Sequence, residues 1–573
     1  MLTEIQIANF RGIKSTKTLP LAPLTVFTGK EGSGKSSVGH FLTMLKQTVT
    51  TADNSVVLYP GDKDSPVQLG TQSSLLYQKA DGGLSFSYRF NLPTYLLMED
   101  PEKDKFSVPT QFIFGENIKF SCHLSNENSK HPFVERYSYE LYDKDNKVAS
   151  ASSKRTVVKS KKSESIQYPV ETEGYELKNR TGRPWLQQPP KHFYGFSDEL
   201  NTYYKNADAI FDMSHAHEQL LRNIYYVGSD RTRFNALHLW SGLHRFDVGH
   251  NGAHTITALL GAQDREISLG ERRRNQPVME IIDTLLQQME LLHGFHVETI
   301  DAIEHGYSVR VTARTSKNNV ELTEAGKAIA QVLPMLVQCF CAPHNSIIVL
   351  DGIETHLSTQ AQALLADVLL TVIQSKEDGL ERNIQLIVST QSEAFVRRLQ
   401  RRIAEGEIPA SMIAAYKTSN HRRGIDIDHI PLLTKENTLS DLSAYFTFED
   451  DDRTLDITVS SDLPTVAERE LEKPVKPAPK KLAKKSTRGP GRPKGSKNKP
   501  KTDDNKPKRG PGRPKGSKNK PKTDTDKPKR GPGRPKGSKN KKTTERKGAQ
   551  ATKENRRASR IKARHADKND TKN

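Results

Sequence analysis

Gly29-Lys30-Glu31-Gly32-Ser33-Gly34-Lys35-Ser36 fits the spacing G-x-x-x-x-G-K-S without a gap. Its surroundings fit as well. The apolar run Leu24-Thr25-Val26-Phe27 before it reads as a buried strand, and Val38, Phe41, Leu42 and Leu45 after it recur at helical spacing. Glycines allow the main chain to curl so that its N–H groups converge on one point, and the start of the next helix adds a dipole that favours an anion. The reading therefore places a nucleoside triphosphate, ATP, against Gly29, Lys30, Gly32, Ser33, Gly34, Lys35, Ser36 and Ser37. Lys35 reaches the β- and γ-phosphates and Ser36 gives its hydroxyl to Mg2+.

Such a loop needs a carboxylate at the end of a neighbouring strand to share the metal. Ile347-Ile348-Val349-Leu350-Asp351 supplies one, with Glu354 and His356-Leu357 close behind. An aspartate after a core strand also serves as a turn or helix cap; the loop's need for a metal partner favours Asp351 beside Ser36 at Mg2+. Around this strand, Ala328 to Cys341 reads as a helix with Pro334 bending it, Gln360 to Ile373 as a second helix, and Ile384 to Ser389 as another buried strand. Alternating strands and helices predict an α/β unit with a largely parallel sheet.

Working outward gives the organisation. Residues 1–55 form the first half of the nucleotide-binding head, opening on a strand with Ile5 and Ile7 on one face. Residues 56–220 are β-rich insertion material, marked by alternations such as Leu84-Phe86-Tyr88-Phe90, and the Lys/Ser-rich part from Ser152 to Ser165 reads as a mobile loop. Residues 221–450 form the second half, with helical periodicity from Pro277 to Leu292. Residues 451–472 are a linker. Beyond Glu472 aromatics vanish and Lys, Pro, Gly, Ser and Thr take over, so 473–573 is expected to stay disordered on its own.

Charge follows the same division. The net charge is +20, yet Lys473 to Asn573 holds 38 basic and 8 acidic residues, leaving 50 basic and 60 acidic residues in the body. A mildly acidic body carrying a strongly basic tail points to a polyanionic partner for the tail. Three cysteines, Cys122, Cys339 and Cys341, are too few for a disulfide framework and lack zinc spacing. They read as reduced packing residues. No apolar run approaches the ~20 residues needed to span a membrane and the start has no apolar signal core, so the expectation is a soluble, cytoplasmic protein.

The tail repeats RGPGRPKGSKNK three times, at 488–499, 509–520 and 530–541. Each copy resembles an AT-hook, whose extended Arg-Pro core enters the narrow minor groove of A·T-rich DNA. That groove concentrates negative potential, proline pre-sets an extended chain, and flanking lysines neutralise phosphates. The expected DNA contacts are Arg488, Arg492 and Lys494, then Arg509, Arg513 and Lys515, then Arg530, Arg534 and Lys536. Pro490, Pro511 and Pro532 stand where the usual hook has an arginine, so three weak hooks would act through effective concentration. A generic basic linker that binds any polyanion, RNA included, is the alternative.

The opening IQIANFRGIKS, the glycine loop, VLDGIETHLS and LIVSTQSE occur in the order seen in ABC-like ATPases of the RecF and SMC type. YYVGSDRTRF, VGHNGAHTITALL and AGKAIAQVLPMLVQC resemble segments of bacterial ATPases related to the overcoming-lysogenisation-defect group. The fold implied is a P-loop NTPase of ABC-ATPase type with a β-rich insertion, followed by the basic tail. The resemblance also implies an ATP-dependent homodimer, with Gly326 and Gln331 in a signature segment that meets the nucleotide. Three positions depart from the pattern. Gly352 stands where a glutamate usually polarises the attacking water, leaving Glu354 to substitute. Ala330 replaces a serine, and Gln391 replaces the switch histidine, which as glutamine orients water but accepts no proton. Arg231 and Arg233 sense phosphate or line the dimer face, or else form ordinary surface ion pairs. The related proteins carry a nuclease domain that is not visible here, so cutting would fall to a separate effector. The expectation is a slowly hydrolysing, nucleoid-associated ATP switch in bacterial genome defence; the alternative is an architectural DNA-binding protein with a structural ATP site.

Overall fold

The computed structural model describes residues 1–77, 83–99, 112–125, 132–159, 164–178, 180, 188–270, 273–313, 319–433 and 442–446. The expected linker and the basic tail with its three repeats lie outside these residues.

A six-stranded sheet forms the centre, in the order Ile224–Val227, Ile347–Asp351, Gln385–Thr390, Leu24–Thr28, Ile413–His421 and Gly424–His429. The first five strands run parallel and the last pairs antiparallel. Leu24–Thr28, Ile347–Asp351 and Gln385–Thr390 are buried at every residue, as strands covered on both faces must be. Their alternation divides the interior. Val26, Leu350 and Val388 join one apolar core with the helices Lys327–Cys341, Thr359–Ile373 and Glu393–Ala404. Phe27, Val349 and Ile387 join a second core with the helix Ser37–Thr50 and an antiparallel sheet. The α/β architecture expected from the sequence is therefore present, with the helices Lys327–Cys341 and Thr359–Ile373 within a residue of the periodicity that located them; the helical pattern read from Pro277 to Leu292 forms a helix only over Val278–Gln288, and Leu292 opens the strand Leu292–Thr299.

The antiparallel sheet differs from expectation in its membership. Its strands run in the order Val170–Glu173, Asn146–Lys154, Phe133–Asp143, Phe112–Ser125, Leu84–Glu99, Leu2–Phe10 and Ile13–Ser15. The opening strand thus pairs with insertion material, Ile5 opposite Tyr88 and Ile7 opposite Phe86. Its half-buried alternation suits an antiparallel sheet with one covered face; the fully apolar Leu24–Thr28 suits the parallel one. The Ser152–Ser165 stretch, expected to be a loop, is largely strand. Thr156–Lys159 pairs with Glu164–Gln167, because Thr156, Val157 and Val158 favour extended backbone despite the flanking lysines. A further antiparallel sheet, built mainly on Leu292–Thr299 and Gly306–Ala313, lies within the second half of the chain.

All three cysteines are buried and unpaired by disulfides. Among the described residues no helix is long and apolar enough to cross a membrane. The end of the helix Lys327–Cys341 is held by the fully buried Arg382, whose guanidinium donates to the carbonyls of Cys339, Phe340 and Ala342. That satisfies acceptors the helix terminus would otherwise leave open.

The antiparallel sheet is fastened to the helix Asp208–Arg222 by a buried histidine. His217 lies among Phe90, Phe120 and Tyr194, and its two ring nitrogens meet the hydroxyls of Tyr88 and Tyr139. Burial pushes its pKa down to about 3. The folded form therefore excludes a proton that the unfolded chain accepts near its usual value of about 6.5. Stability from this site is complete above that value and declines as pH falls towards 3. We expect the urea midpoint to drop between pH 7 and pH 4, and His217→Gln, which keeps a donor and an acceptor but does not titrate, to flatten that slope. An unchanged slope in the variant would assign the acid sensitivity to the carboxylates.

Candidate nucleotide and metal site

The glycine loop leaves the central strand Leu24–Thr28 and enters the helix Ser37–Thr50. Two glycines are required by what surrounds them. At Gly29 a Cβ would stand 2.4 Å from the Thr418 carbonyl oxygen and 2.6 Å from Ser33 Oγ. At Gly34 the backbone is left-handed, with φ +94°, and a Cβ would stand 2.4 Å from Ile425 Cδ1. The hairpin Ile413–His421/Gly424–His429 therefore presses against the loop from outside. Thr418 Oγ1 bonds Ser33 Oγ at 2.8 Å, and Asn420 donates to the Gly32 carbonyl at 3.2 Å. No motif in the sequence flagged Thr418, Asn420 or Ile425, because their role is set by the strand beside the loop and not by chain neighbours.

Ser36 Oγ donates to Asp351 Oδ1 at 2.7 Å. The two residues meet because the strands are in register: Thr28 lies opposite Thr390, and Ser389 opposite Asp351, so three strand ends finish at one level. Ser389 Oγ also donates to the Lys35 carbonyl at 3.3 Å. Lys35 Nζ rests on the Lys30 carbonyl at 2.7 Å. Burial lowers the Lys35 pKa, while Glu354, Asp351 and Glu31 oppose the shift, so the ammonium stands in the field of both candidate acids.

Asp351 is nearly buried, and burial alone would raise its pKa. Hydrogen bonds from His40 and Ser36, and the charges of His40 and Arg231, outweigh that and hold it below the usual carboxylate value. His40 Nε2 stands 3.5 Å from Asp351 Oδ2, and the Tyr226 hydroxyl donates to the same oxygen at 3.5 Å. His40 lies in none of the quoted segments, and Tyr226 lies in YYVGSDRTRF without a role read for it; they are brought in by the helix after the loop and by the strand next to Asp351. A hydroxyl and an ionised carboxylate converging at 2.7 Å form a hard-oxygen donor set suited to Mg2+. Among the described residues there is no cluster of three or more His, Cys, Asp or Glu able to hold a metal. Glu405 and Glu407, two acids close in sequence, are engaged by Arg401 and Arg402.

The other expected residues are distributed unevenly. Glu354 accepts from the Thr390 hydroxyl at 2.6 Å and from the Gln391 main-chain N–H at 3.2 Å, while the Gln391 residue itself is exposed. Gly352 is left-handed, with φ +59°, and a Cβ there would stand 2.9 Å from Ser229 Cβ. A glutamate at this position would be strained, which accounts physically for the departure noted in the sequence. Gly326 begins the helix Lys327–Cys341 with open space around it, whereas Gln331 is buried and its Oε1 accepts from Arg231 Nη1 at 3.1 Å. Arg231 is 5% exposed, which rules out a surface ion pair; Arg233 is exposed. Burial lowers the Arg231 pKa to about 10, against the opposing charges of Asp351, Tyr226 and Glu354.

The family described as "AAA domain, putative AbiEii toxin, Type IV TA system" matches residues 24–397. None of the curated proteins matches the chain. Among solved structures, similar ones include the SmcHead bound to the C-winged helix domain of ScpA, at 10% identity and a TM-score of 0.35, covering 75% of this chain and 98% of that one. The SMC head domain from Thermotoga maritima is similar at 10% identity and a TM-score of 0.31, over 75% of this chain and 99% of that one. The Smc head domain with an extended coiled coil bound to the C-terminal domain of ScpA, derived from Pyrococcus furiosus, gives 11%, 0.29, 75% and 96%.

Because Gly34 is both left-handed and in contact with Ile425, Gly34→Ala should destabilise the protein by about 1–3 kcal/mol, read from urea unfolding. The double variant Gly34→Ala/Ile425→Ala should recover nothing of the backbone part. Wild-type stability in Gly34→Ala would mean that the loop does not hold this conformation.

Proposed function

This chain belongs to that AAA-domain family, and we propose that it is an ATP-binding switch whose basic tail holds it on DNA. The observation that carries the reading is the meeting of Ser36 and Asp351 at 2.7 Å beneath the glycine loop. Main-chain N–H groups between Gly29 and Ser36 wrap the phosphates, and Lys35 leaves the Lys30 carbonyl for the β- and γ-phosphates. Ser36 and Asp351 would hold Mg2+, which would supply neutralisation of the triphosphate charge. His40 and Tyr226 orient the Asp351 carboxylate from behind.

Hydrolysis is slow in this reading. Glu354 is the candidate to orient the attacking water, yet both its oxygens are engaged by Thr390 and the Gln391 N–H. Gly352 offers no side chain, and Gln391 accepts no proton. The site is suited to holding ATP for long periods, as a switch between two states requires. Following the resemblance to ABC-like ATPases, ATP brings two copies together, with Gly326 of each helix start facing the nucleotide of the other, and a separate effector responds to the paired state. The family description, "AAA domain, putative AbiEii toxin, Type IV TA system", supports a setting in bacterial genome defence. The tail, with 38 basic against 8 acidic residues, supports retention on A·T-rich DNA in the nucleoid through Arg492, Arg513 and Arg534.

Isothermal calorimetry of the whole chain should show Mg-ATP binding that Lys35→Ala and Asp351→Asn each weaken at least about tenfold, roughly 1.4 kcal/mol. Turnover should fall well below the enzyme median of ~10 per second. A folded wild-type protein indifferent to Mg-ATP would end the reading, and turnover at that median would end the slow-switch part of it. At fixed salt, A·T-rich duplex should bind more tightly than G·C-rich duplex, and deletion of 473–573 should abolish the preference. Equal affinities would leave a generic polyanion-binding tail.

A further inference from the structure

Arg231 is a buried cation placed directly behind the proposed metal ligand, and its contacts lie on two different elements. Nη2 donates to the Asp351 carbonyl at 2.6 Å, and Nη1 to the Gly352 carbonyl at 3.4 Å and to Gln331 Oε1 at 3.1 Å. Asp351 ends a central strand and Gly352 follows it; Gln331 lies in the second turn of the helix Lys327–Cys341. Beyond Gln331 the helix is embedded in apolar core, with Val332, Leu333, Met335 and Leu336 inaccessible to solvent. Before it, Gly326 and Lys327 are exposed, and Gly326 has no neighbour where a Cβ would stand. Pro334 removes one main-chain hydrogen bond just past this point and packs against Gly252. The rung missing between Ala330 and Pro334 weakens the start of the helix, and the Arg231–Gln331 bond fastens that start to the strand end through the second turn.

We infer that Arg231, through Gln331, is a positioning residue that makes the start of the helix Lys327–Cys341 follow the strand end carrying Asp351, so that ATP loading is felt at Gly326. The inference rests on the nucleotide reading above. A buried guanidinium is costly to desolvate and leaves its acceptors unpaired when removed. A planar fork that grips a carbonyl and an amide oxygen in fixed directions passes on a displacement that an apolar contact would absorb. Charge near Asp351 changes when Mg-ATP arrives, and the fork is bonded to that residue's own carbonyl.

Hydrogen exchange on the whole chain tests this, with and without saturating Mg-ATP and with nucleotide loading measured on the same sample. In the wild type, amides from Lys327 to Val332 are expected to change their exchange rate on loading. Gln331→Leu, which keeps the volume but not the acceptor, should lose that change at equal loading. Gln331→Glu, which keeps an acceptor for Arg231, should retain it; a merely structural role would make both variants alike. Gln331→Leu responding as the wild type does, or a loaded wild type showing no change in these amides, overturns the inference and leaves the nucleotide reading standing. A wild type that takes up no Mg-ATP removes both. Where Gln331→Leu fails to fold, Arg231→Lys replaces it: one ammonium cannot hold both elements, and retention of the full response would likewise overturn the inference.

Discussion

A serine hydroxyl and an aspartate carboxylate, 315 positions apart in the chain, stand 2.7 Å from each other, and the rest of the structure is arranged to keep them there. The constraint is one of register. Three parallel strands must end at the same level, and the chain must turn into a helix directly above one of them. Burial fixes register, because a slip of one residue exchanges the two faces of a strand. Here the two faces belong to different apolar cores, so a slip in Ile347–Asp351 would carry Val349 and Leu350 into the wrong one. Packing on both sides of the sheet thus sets the distance between two oxygens at its edge.

Polar groups around this point are numerous for a site so little exposed. His40 and Tyr226 reach the outer oxygen of Asp351, Arg231 takes its carbonyl, and Ser389 ties the loop to the neighbouring strand. Burying them costs several kcal/mol per charge unless each is paired. The pairing is nearly complete, and what it yields is orientation: the aspartate remains ionised with both oxygens directed. Such a network holds charge in place before a ligand arrives, which is the condition for electrostatic stabilisation without reorganisation. By the same logic Glu354, bonded through both oxygens to its neighbours, is poorly free to act on water. The same local chemistry that suits the site to bind also makes it a slow catalyst in the proposed reading.

The antiparallel sheet does more than decorate the head. Its opening strand precedes the loop, its apolar face shares a core with the P-loop helix, and Phe41 meets both Phe10 and Phe86. On the other side, the hairpin carrying Thr418 and Ile425 leaves no room for a Cβ at Gly29 or Gly34. One sheet therefore packs on the helix that follows the loop while the hairpin of the other presses on the loop itself, and Gly29 and Gly34 answer to steric contact as well as to backbone dihedral.

Whereas the helix from Glu393 was not read from the sequence, the local pattern in the chain was enough to determine the glycine loop, its flanking strand and helix, the buried strand ending in Asp351, and the two helices that begin at Lys327 and Thr359. Each is a signal of period or composition over a short window, and the segregation of charge into the tail is legible in the same way. The residues whose roles depend on who stands across a gap were not legible: His40 and Tyr226 behind Asp351, Thr418 and Ile425 against the loop, and the burial of Arg231. Nothing in VGSDRTRF distinguishes an arginine that reaches solvent from one that grips two carbonyls and a glutamine. The opening strand's sheet and the paired strands at 156–167 were misjudged for the same reason, since pairing partners are chosen by faces that only the folded chain brings together. Short-range periodicity decides which elements form; which side chains meet is decided by register and packing between segments hundreds of residues apart, and the candidate site is built from those meetings.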